Sequence, residues 1–475
     1  MPVPHLPVEI HTIISSHVAR KDLPSYRSAS KTFADIGARF LFRDLVLHAS
    51  YDSLNRIKNV GCHNELRDTV HTVEWDTSTL NLDAWDFNDW KNRIRGLRRH
   101  ELAALQQTWQ TELLDQNTIR EHMHRFLLKE YQRYESLLAE EQEVQFRHLW
   151  NLEDHLARFP RLKNIVVSKR QHASLDADFD RKGPRFTELV KRGMLGQHCR
   201  APYKHNEDMF PLVVALGVAQ SSTHQIEAKN LNFGVFSQGA YTEHLQNIDV
   251  SHITRLNLRF SMTSPSSDPL ESSMSIMNCK RVLQQGNLKD FLQKFKTLQA
   301  LSLDFDVRSH GNGRAPVNLQ DVFSIDHVWP QLRELAIYHV DTSASTFTHL
   351  ISAHSATLKD LALGDLCLDP PGSWEALLTN IQPELALDSA TFEYFLFDAR
   401  IENFLRGRSA MIGWYCDSQE CVEETSDLGE RLERYMVEGG HCPLREQRKI
   451  ARVVGRLETQ RVDDWVHNRH VSLLT

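Results

Sequence analysis

One pattern recurs along most of this chain of 475 residues. A helical segment with apolar residues at positions i, i+3, i+4 and i+7 is followed by a short connection and then by apolar-x-x-apolar-x-apolar. Clear copies occupy residues 288–303 and 347–363. One unit of this kind cannot bury both its helix and its strand, so neighbouring units must stack on it. The sequence therefore predicts an α/β fold built from repeated helix–strand units.

The same spacing occurs elsewhere with more variation. The strand parts of the other copies begin at Val70, Leu162, Ile253 and Leu332, and a degenerate copy ends in Leu385-Ala386-Leu387. Four residues alternate with the inward apolar positions and are predicted on the opposite face: Asn257, Ser302, Ala336 and Ala362. The units resemble leucine-rich repeats of irregular period, which implies a solenoid with a concave strand face. The alternative is a single α/β domain in which each motif is an ordinary amphipathic strand.

The first 42 residues carry a different pattern. Pro7 suits the first turn of a helix, because proline fixes φ and needs no N–H partner there. Apolar residues then recur at helical spacing, at Ile10, Ile13, Ile14 and Val18. Asp22 is positioned to cap a second helix, and residues 31–42 predict a third. Three short helices are close to the lower size limit for independent folding, so their surplus apolar surface predicts a partner.

This segment resembles the F-box, which begins Leu-Pro-x-Glu-Leu/Ile and continues with spaced aliphatic residues, Asp-Leu and a large aromatic residue. The matching residues are Leu6, Pro7, Glu9, Ile10, Ile14, Val18, Asp22, Leu23 and Phe33. Phe33 stands where tryptophan is usual, Ser15 replaces an apolar residue, and Arg20 stands where proline is common.

The F-box resemblance implies three helices that dock on the Skp-type adaptor of a cullin–RING ubiquitin ligase. The residues that the resemblance assigns to adaptor binding are Leu6, Pro7, Ile10, Ile14, Val18 and Leu23. The alternative is an ordinary helical cap on a larger domain.

The patterns divide the chain into an F-box at 1–45, an irregular leucine-rich-repeat domain at 46–395 and a C-terminal cap at 396–475. Within the second region, residues 93–156 are rich in strong helix formers and predict one or two long helices, with a break near Asp115. We interpret this insertion as a helical hairpin packed on the repeat domain. A partner-binding arm is the alternative.

The C-terminal region no longer follows the repeat. Residues 409–415 predict a last strand, and residues 427–437 predict a helix with one apolar face. Residues 446–465 are mostly charged and predict a further helix. We expect this region to close the end of the repeat core.

Composition limits the classes of function. A net charge of −7, spread along the chain, argues against a nucleic-acid binder with a strongly basic surface. No run of eighteen apolar residues occurs, so we expect no transmembrane helix, and the N-terminus lacks the basic start of a signal peptide. Seven scattered cysteines, an odd number, are typical of reduced thiols and predict a cytoplasmic or nuclear protein.

The sequence offers little that could support catalysis or metal binding. Zinc ligands by type occur at Cys416, Cys421, His441 and Cys442, but their spacing is poor for a structural zinc site. Nucleophile-elbow, P-loop and dinucleotide-binding motifs do not occur in the sequence. Asp304 and Asp306 share one strand face, where solvation or recognition is a more common role than acid–base chemistry. We therefore predict no catalytic residue, no metal and no cofactor.

These observations lead to one functional hypothesis. By its resemblance to F-box proteins with leucine-rich repeats, of the fungal type in particular, the chain is expected to be a non-catalytic adaptor. The F-box would dock on the Skp-type adaptor, and the repeat domain would recruit a protein substrate to the ubiquitin ligase. A repeat scaffold that binds proteins without a ligase is the alternative, and an enzyme with an unnoticed site is a third hypothesis.

Overall fold

The chain folds into two compact units. Unit 1 comprises Met1–Glu207 and Ser221–Thr223, and unit 2 comprises Asp208–Gln220 and His224–Thr475. This division falls within the predicted repeat domain, and the predicted boundaries at 45 and 395 stay predictions. The computed structural model describes residues 6–19, 22–77, 86–97, 103, 106–107, 115–144, 152–168, 212, 215–216, 223–260, 278–305, 317–405, 408–416, 428–446, 450–453 and 459–461.

Unit 1 combines helices with a small parallel sheet. Its helices are α1 (Val8–His17), α2 (Leu23–Ser28), α3 (Lys31–Leu41), α4 (Tyr51–Cys62), α5 (Asn64–Arg67), α6 (Phe87–Leu97), α7 (Gln116–Glu143) and α8 (Leu152–Leu156). Its strands are β1 (Asp44–Leu47), β2 (Thr72–Asp76) and β3 (Asn164–Ser168). They pair in chain order, with Leu45 beside Val73 and Val73 beside Ile165. All three of these side chains are buried, as expected for the inward positions of the repeated strand pattern.

The three helices predicted at the N-terminus are present. Helix α1 begins after Pro7, whose carbonyl accepts hydrogen bonds from the backbone N–H groups of Ile10 and His11. Asp22 lies at the N-cap position of α2, but its side chain makes no capping hydrogen bond. Helix α3 is capped by Ser30, whose hydroxyl accepts a hydrogen bond from the N–H of Phe33.

The predicted helical insertion begins earlier than expected, with α6 at Phe87. The predicted break is confirmed: Asp115 caps α7, and its carboxylate accepts hydrogen bonds from the N–H groups of Asn117 and Thr118. Helices α6 and α7 share a buried cluster formed by Trp90, Leu127, Tyr134 and Leu138. The Glu140 side chain of α7 also accepts a hydrogen bond from the N–H of Tyr51, which attaches the insertion to the start of α4.

Unit 2 alternates strands with short helices. Its strands are β4 (Gln225–Leu231), β5 (Arg255–Phe260), β6 (Ala300–Asp304), β7 (Glu334–Tyr338), β8 (Asp341–Thr342), β9 (Asp360–Leu368), β10 (Ser389–Leu405), β11 (Arg408–Tyr415), β12 (Ile450–Val453) and β13 (Thr459–Arg461). Its α-helices are α9 (Gln238–Ala240), α10 (Asn287–Gln293), α11 (Leu319–Val322), α12 (Ala344–His354), α13 (Trp374–Ile381) and α14 (Leu428–Glu438). Short 3₁₀ turns lie at Phe233–Phe236, Gln382–Glu384 and Pro443–Arg445, a π turn lies at Tyr241–Leu245, and residues 278–284 are helical.

The sheet of unit 2 is mostly parallel. Strands β4, β5, β6, β7, β9 and β10 pair in parallel in that order, and β8 also pairs in parallel with β9. Strands β10, β11, β12 and β13 pair in antiparallel fashion. The protein is therefore mixed α/β with a mostly parallel sheet, which confirms the fold class at that level.

Strand register explains why the apolar spacing recurs. Leu256, Leu301, Leu335 and Leu361 lie side by side across β5, β6, β7 and β9, and all four are buried. The predicted residues of the opposite face are also in register and half-buried: Asn257, Ser302, Ala336 and Ala362. We call this the open face of the sheet. Each strand therefore buries one face and leaves the other accessible.

Two predictions in the last third of the chain are wrong. The degenerate strand placed at Leu385 to Leu387 is instead β10, in which Ala390 occupies the place of the expected leucine beside Leu361. The helix predicted at 446–465 is replaced by β12 and β13. Strand β12 pairs with β11, and this backbone pairing outweighs the local preference of a charged segment for helix. The predicted strand at 409–415 and helix at 427–437 are confirmed by β11 and α14.

The longest of the described helices is α7, with 28 residues. Among them, none combines the length and the apolar character that crossing a lipid bilayer requires.

Candidate functional site

Exposed apolar side chains are concentrated in and just before α1. Across the described residues, nine large hydrophobic side chains are exposed, and five of them lie between residues 6 and 14. They are Leu6, Val8, Ile10, Ile13 and Ile14, each between 41% and 56% exposed. We call this group the N-terminal stripe. A soluble protein rarely concentrates such residues at one place unless another molecule covers them.

The side of α1 that faces the other helices is unusually polar. The hydroxyl of Ser15 is buried there and donates to the carbonyl of His11, one turn earlier. The ring of His11 lies 4.7 Å from the ring of Phe33, which stacks on Tyr26 at the same distance on α2. Helix α1 therefore packs inward through polar and aromatic groups and presents its isoleucines outward. This arrangement reverses the usual amphipathic pattern of a surface helix.

The six residues predicted to bind the Skp-type adaptor have different surroundings. Leu6, Pro7, Ile10 and Ile14 are exposed, and Val18 is half-buried at the end of α1. Leu23 is only 2% exposed and belongs to the core of the helical segment. The structure thus leaves the first four exposed, as it does Val8 and Ile13, and it buries Leu23.

Val8 and Ile13 were not among the predicted binding residues. Both are more exposed than Ile10 or Ile14. Ile13 could have been found from the sequence, because it lies three residues after Ile10 and therefore shares its helical face. Val8 lies in the first turn, where the sequence alone does not define which way a side chain points.

A second candidate site lies on the open face of unit 2, where three neighbouring strands each have a left-handed residue in or directly after the strand. His339, Asp365 and Tyr394 all have left-handed backbones, with φ of 62°, 50° and 59°. Each directly follows one of three residues that are in register across β7, β9 and β10: Tyr338, Gly364 and Glu393. Such a conformation is rare for residues with a Cβ atom and costs about 1–3 kcal/mol each.

Strands β5 and β6 have no left-handed residue at the positions that align with His339 and Asp365. There Phe260 and Phe305 point inward, and their rings stack 5.0 Å apart in the core. In the next two strands the left-handed residues His339 and Asp365 point to the open face instead. Tyr338, the last residue of β7, and His339 directly after it therefore both lie on the open face. Two successive side chains on one face are the local effect of a β-bulge.

A chain of charged groups connects these strands. Nε of Arg259 lies 3.2 Å from Oδ2 of Asp304, and Oδ1 of Asp304 lies 2.8 Å from Nδ1 of His339. Nε2 of His339 in turn lies 3.1 Å from Oδ2 of Asp365. Both ring nitrogens of His339 are therefore next to carboxylates, which is the arrangement expected for a protonated imidazole.

The surroundings change the pKa values of two groups in this cluster. Burial opposes protonation of His339, but its hydrogen bonds to Asp304 and Asp365 outweigh burial and raise its pKa to about 9. Burial raises the pKa of Tyr338 to about 12, and the carboxylates of Glu393 and Asp304 add to this effect. At neutral pH the cluster therefore contains a cationic His339 and a neutral Tyr338.

Sequence reasoning found Asp304 but missed its partners. Asp306, which was paired with it in the prediction, lies outside the described residues, and Asp304 contacts Arg259 and His339 instead. A signal was present in the sequence. His339 and Asp365 occupy positions where strict alternation would place an inward apolar residue, as Phe260 and Phe305 do.

The structure describes three of the four possible zinc ligands named from the sequence. Within the described ranges, no group of three or more His, Cys, Asp or Glu residues could hold a metal ion. Of the four possible zinc ligands named from the sequence, Cys421 lies outside the described residues. Cys416 and Cys442 are both buried, and burial raises the pKa of the Cys442 thiol.

No protein-family model matches the chain, and no curated protein is significantly similar to it. The function is therefore argued from the two sites and from the F-box-like residues.

Proposed function

We propose that this protein is a substrate-recognition adaptor of a Skp–cullin–F-box ubiquitin ligase. In this proposal the N-terminal helices act as an F-box that docks on a Skp-type adaptor. The strand-bearing region, taken as a leucine-rich-repeat solenoid, binds a protein substrate, and no residue of the chain is catalytic.

The observation that carries the proposal is the N-terminal stripe. Its five side chains begin with Leu6 of the F-box-like motif and continue to Ile14, and they are exposed in the isolated chain. Covering a half-exposed aliphatic side chain contributes about 1 kcal/mol, so the stripe would contribute about 5 kcal/mol to a complex. That is a substantial part of what is needed to overcome the cost of association.

Co-purification with a fungal Skp-type adaptor tests the proposal. The informative variant is Ile10→Asp with Ile14→Asp, because it places two charges on the stripe. The matched control is Ile325→Asp with Val328→Asp, whose parent residues are 46% and 47% exposed in unit 2. We expect a stoichiometric complex with the wild type and with the control, and loss of the complex in the stripe variant.

The same variants distinguish the alternative, a repeat scaffold whose N-terminal helices serve only internal packing. In a scaffold of that kind, Ile10→Asp with Ile14→Asp should lower the stability of the isolated chain. Because Ile10 and Ile14 are exposed, we instead expect the free energy of unfolding of this variant to change by no more than about 0.5 kcal/mol. A folded wild type that forms no complex with the adaptor, or equal loss in both double variants, would sink the ligase proposal.

A further inference from the structure

The open face of β6, β7, β9 and β10 has a floor of small side chains. Ser302, Ala336 and Ala362 lie side by side along it and are half-buried. Because none of these side chains extends far from the backbone, the centre of the open face is recessed relative to its borders. Glu334 and Asp360 border this floor towards the start of the strands, two residues before Ala336 and Ala362.

The borders of this face are more acidic than basic. Five carboxylates belong to residues of the open face or to the left-handed residue Asp365: Asp304, Glu334, Asp360, Asp365 and Glu393. Among the residues that the structure describes on this face and its borders, three cationic groups accompany them: Arg255, Arg259 and His339. Arg255 pairs with Glu334, and Arg259 pairs with Asp304. The balance of charge on the face is therefore negative.

Two nearby basic residues do not change this balance. Arg333 and Lys359 come just before β7 and β9, at positions that alternation assigns to the other side of the strands. The ammonium group of Lys359 donates to the carbonyl of Ala386 at 2.8 Å, which holds it at the start of the strands.

Tyrosine rings border the face at its other end. Tyr338 and Tyr394 are both half-buried, and the ring of Tyr394 lies 6.1 Å from that of His339. Tyrosine is enriched at protein interfaces, and its ring face attracts cations. Carboxylates beside aromatic rings form a suitable surrounding for an ammonium or guanidinium group.

We propose that the open face of β6, β7, β9 and β10 docks a lysine- or arginine-bearing segment of the protein substrate, with Asp360 and Glu393 as charged contacts. This inference rests on the proposed function in one respect, since it identifies the bound segment as part of the substrate. The charge balance selects a basic segment over an acidic one.

A direct binding measurement tests this surface. The probe is a fluorescein-labelled peptide of alternating lysine and serine, and its counterpart has glutamate in place of lysine. Fluorescence anisotropy is recorded with the full chain. We expect the lysine peptide to bind and its affinity to fall about tenfold in the variant Asp360→Asn with Glu393→Gln. The glutamate peptide should not bind.

The control variant is Glu433→Gln with Glu438→Gln, which removes two exposed carboxylates from α14 without touching the open face. It should bind the lysine peptide like the wild type. If the open-face variant does not fold, Ala362→Lys provides a second test, because it adds a cation to the floor and should also weaken binding. Binding that is equal in all variants, or preference for the glutamate peptide, would overturn the proposal.

Adaptor co-purification of the same open-face variant separates this proposal from the proposed function. A retained adaptor complex without peptide binding by the wild type would overturn the docking surface alone. Peptide binding that depends on Asp360 and Glu393, without any adaptor complex, would overturn the ligase role and leave the surface intact. Self-association of the wild type that Ala362→Lys abolishes would identify a second copy as the occupant and overturn the proposal.

Discussion

His339 and Asp365 meet across two neighbouring strands, with Nε2 of the histidine 3.1 Å from Oδ2 of the aspartate, although both have left-handed backbones. On the other side of the ring, Nδ1 lies 2.8 Å from Asp304. One imidazole thereby connects β6 and β9 across β7. The charge of this ring therefore affects how firmly the three strands are held together.

The first prediction concerns stability at alkaline pH. The pKa of His339 is raised from 6.5 to about 9, so its stabilising contribution is complete below pH 6.5 and is lost as the pH rises through about 9. The shift corresponds to about 3 kcal/mol at most. In denaturant titrations between pH 6.5 and about 9, we expect the free energy of unfolding of the wild type to fall by up to about 3 kcal/mol more than that of His339→Asn. Asparagine is a suitable reference because it tolerates a left-handed backbone. Parallel pH profiles would contradict the prediction.

The second prediction concerns His354, which should respond to pH in the opposite direction. Its Nε2 accepts a hydrogen bond from the N–H of Trp329, and its Nδ1 lies 2.8 Å from the carbonyl of Leu350. Burial lowers its pKa, so its contribution is present above pH 6.5 and is lost on acidification. In denaturant titrations, the stability advantage of the wild type over His354→Gln should therefore shrink as the pH falls below 6.5. If the difference between them is independent of pH, the assigned neutral state is wrong.

The third prediction concerns the close approach of Tyr338 to Gly364. A Cβ atom on Gly364 would lie 2.7 Å from Cδ1 of Tyr338 and 2.9 Å from the carbonyl oxygen of Glu393. Because one of these neighbours is backbone, Gly364→Ala should destabilise unit 2 by about 1–3 kcal/mol. Gly239→Ala is the control, since a Cβ there meets nothing within 4 Å and alanine favours helix. Thermal unfolding of both variants measures the contrast, and equal melting temperatures would refute it.

The fourth prediction contrasts two residues of the F-box-like segment. Leu23 is buried and Ile14 is exposed. Leu23→Ala should therefore lower the local stability of the helices by about 2–5 kcal/mol, whereas Ile14→Ala should change it by less than about 0.5 kcal/mol. Hydrogen–deuterium exchange of the α3 amides reports this difference without requiring the rest of the chain to unfold. Similar protection in the two variants would mean that α1 packs differently from the arrangement described above.

Much of the architecture could be predicted because apolar spacing reflects burial directly. The helix anchors Phe347 and Ile351 and the strand residues Leu301 and Leu361 are all buried, as the spacing indicates. The last parallel strand was misplaced because Ala390 stands where the pattern expects leucine. The C-terminal strands could not be predicted, since their structure depends on pairing with β11 and not on local preference.

The two sites differ in how far the sequence revealed them. The N-terminal stripe was largely predictable, because helical spacing and the Leu6-Pro7 start define its position. The cluster of Asp304, His339 and Asp365 was not, since these residues come from three successive segments of the chain and meet only through strand register. The sequence signal for this cluster is indirect: His339 and Asp365 stand where strict alternation would place an inward apolar residue.

Each left-handed residue also acts as one additional residue in its strand. From that residue onward, the alternation of inward and outward side chains is offset by one position. In β7, Leu335 and Ile337 point inward, Tyr338 and His339 both point outward, and Val340 is buried again. Val340 would face solvent if the alternation were regular. Removing His339 altogether would therefore keep Val340 pointing inward, whereas a valine in place of His339, which resists a left-handed backbone, would favour turning Val340 outward. A relative of this protein could thus keep the same core with one residue fewer in each of these strands, and it would lose only the surface that the additional residues create.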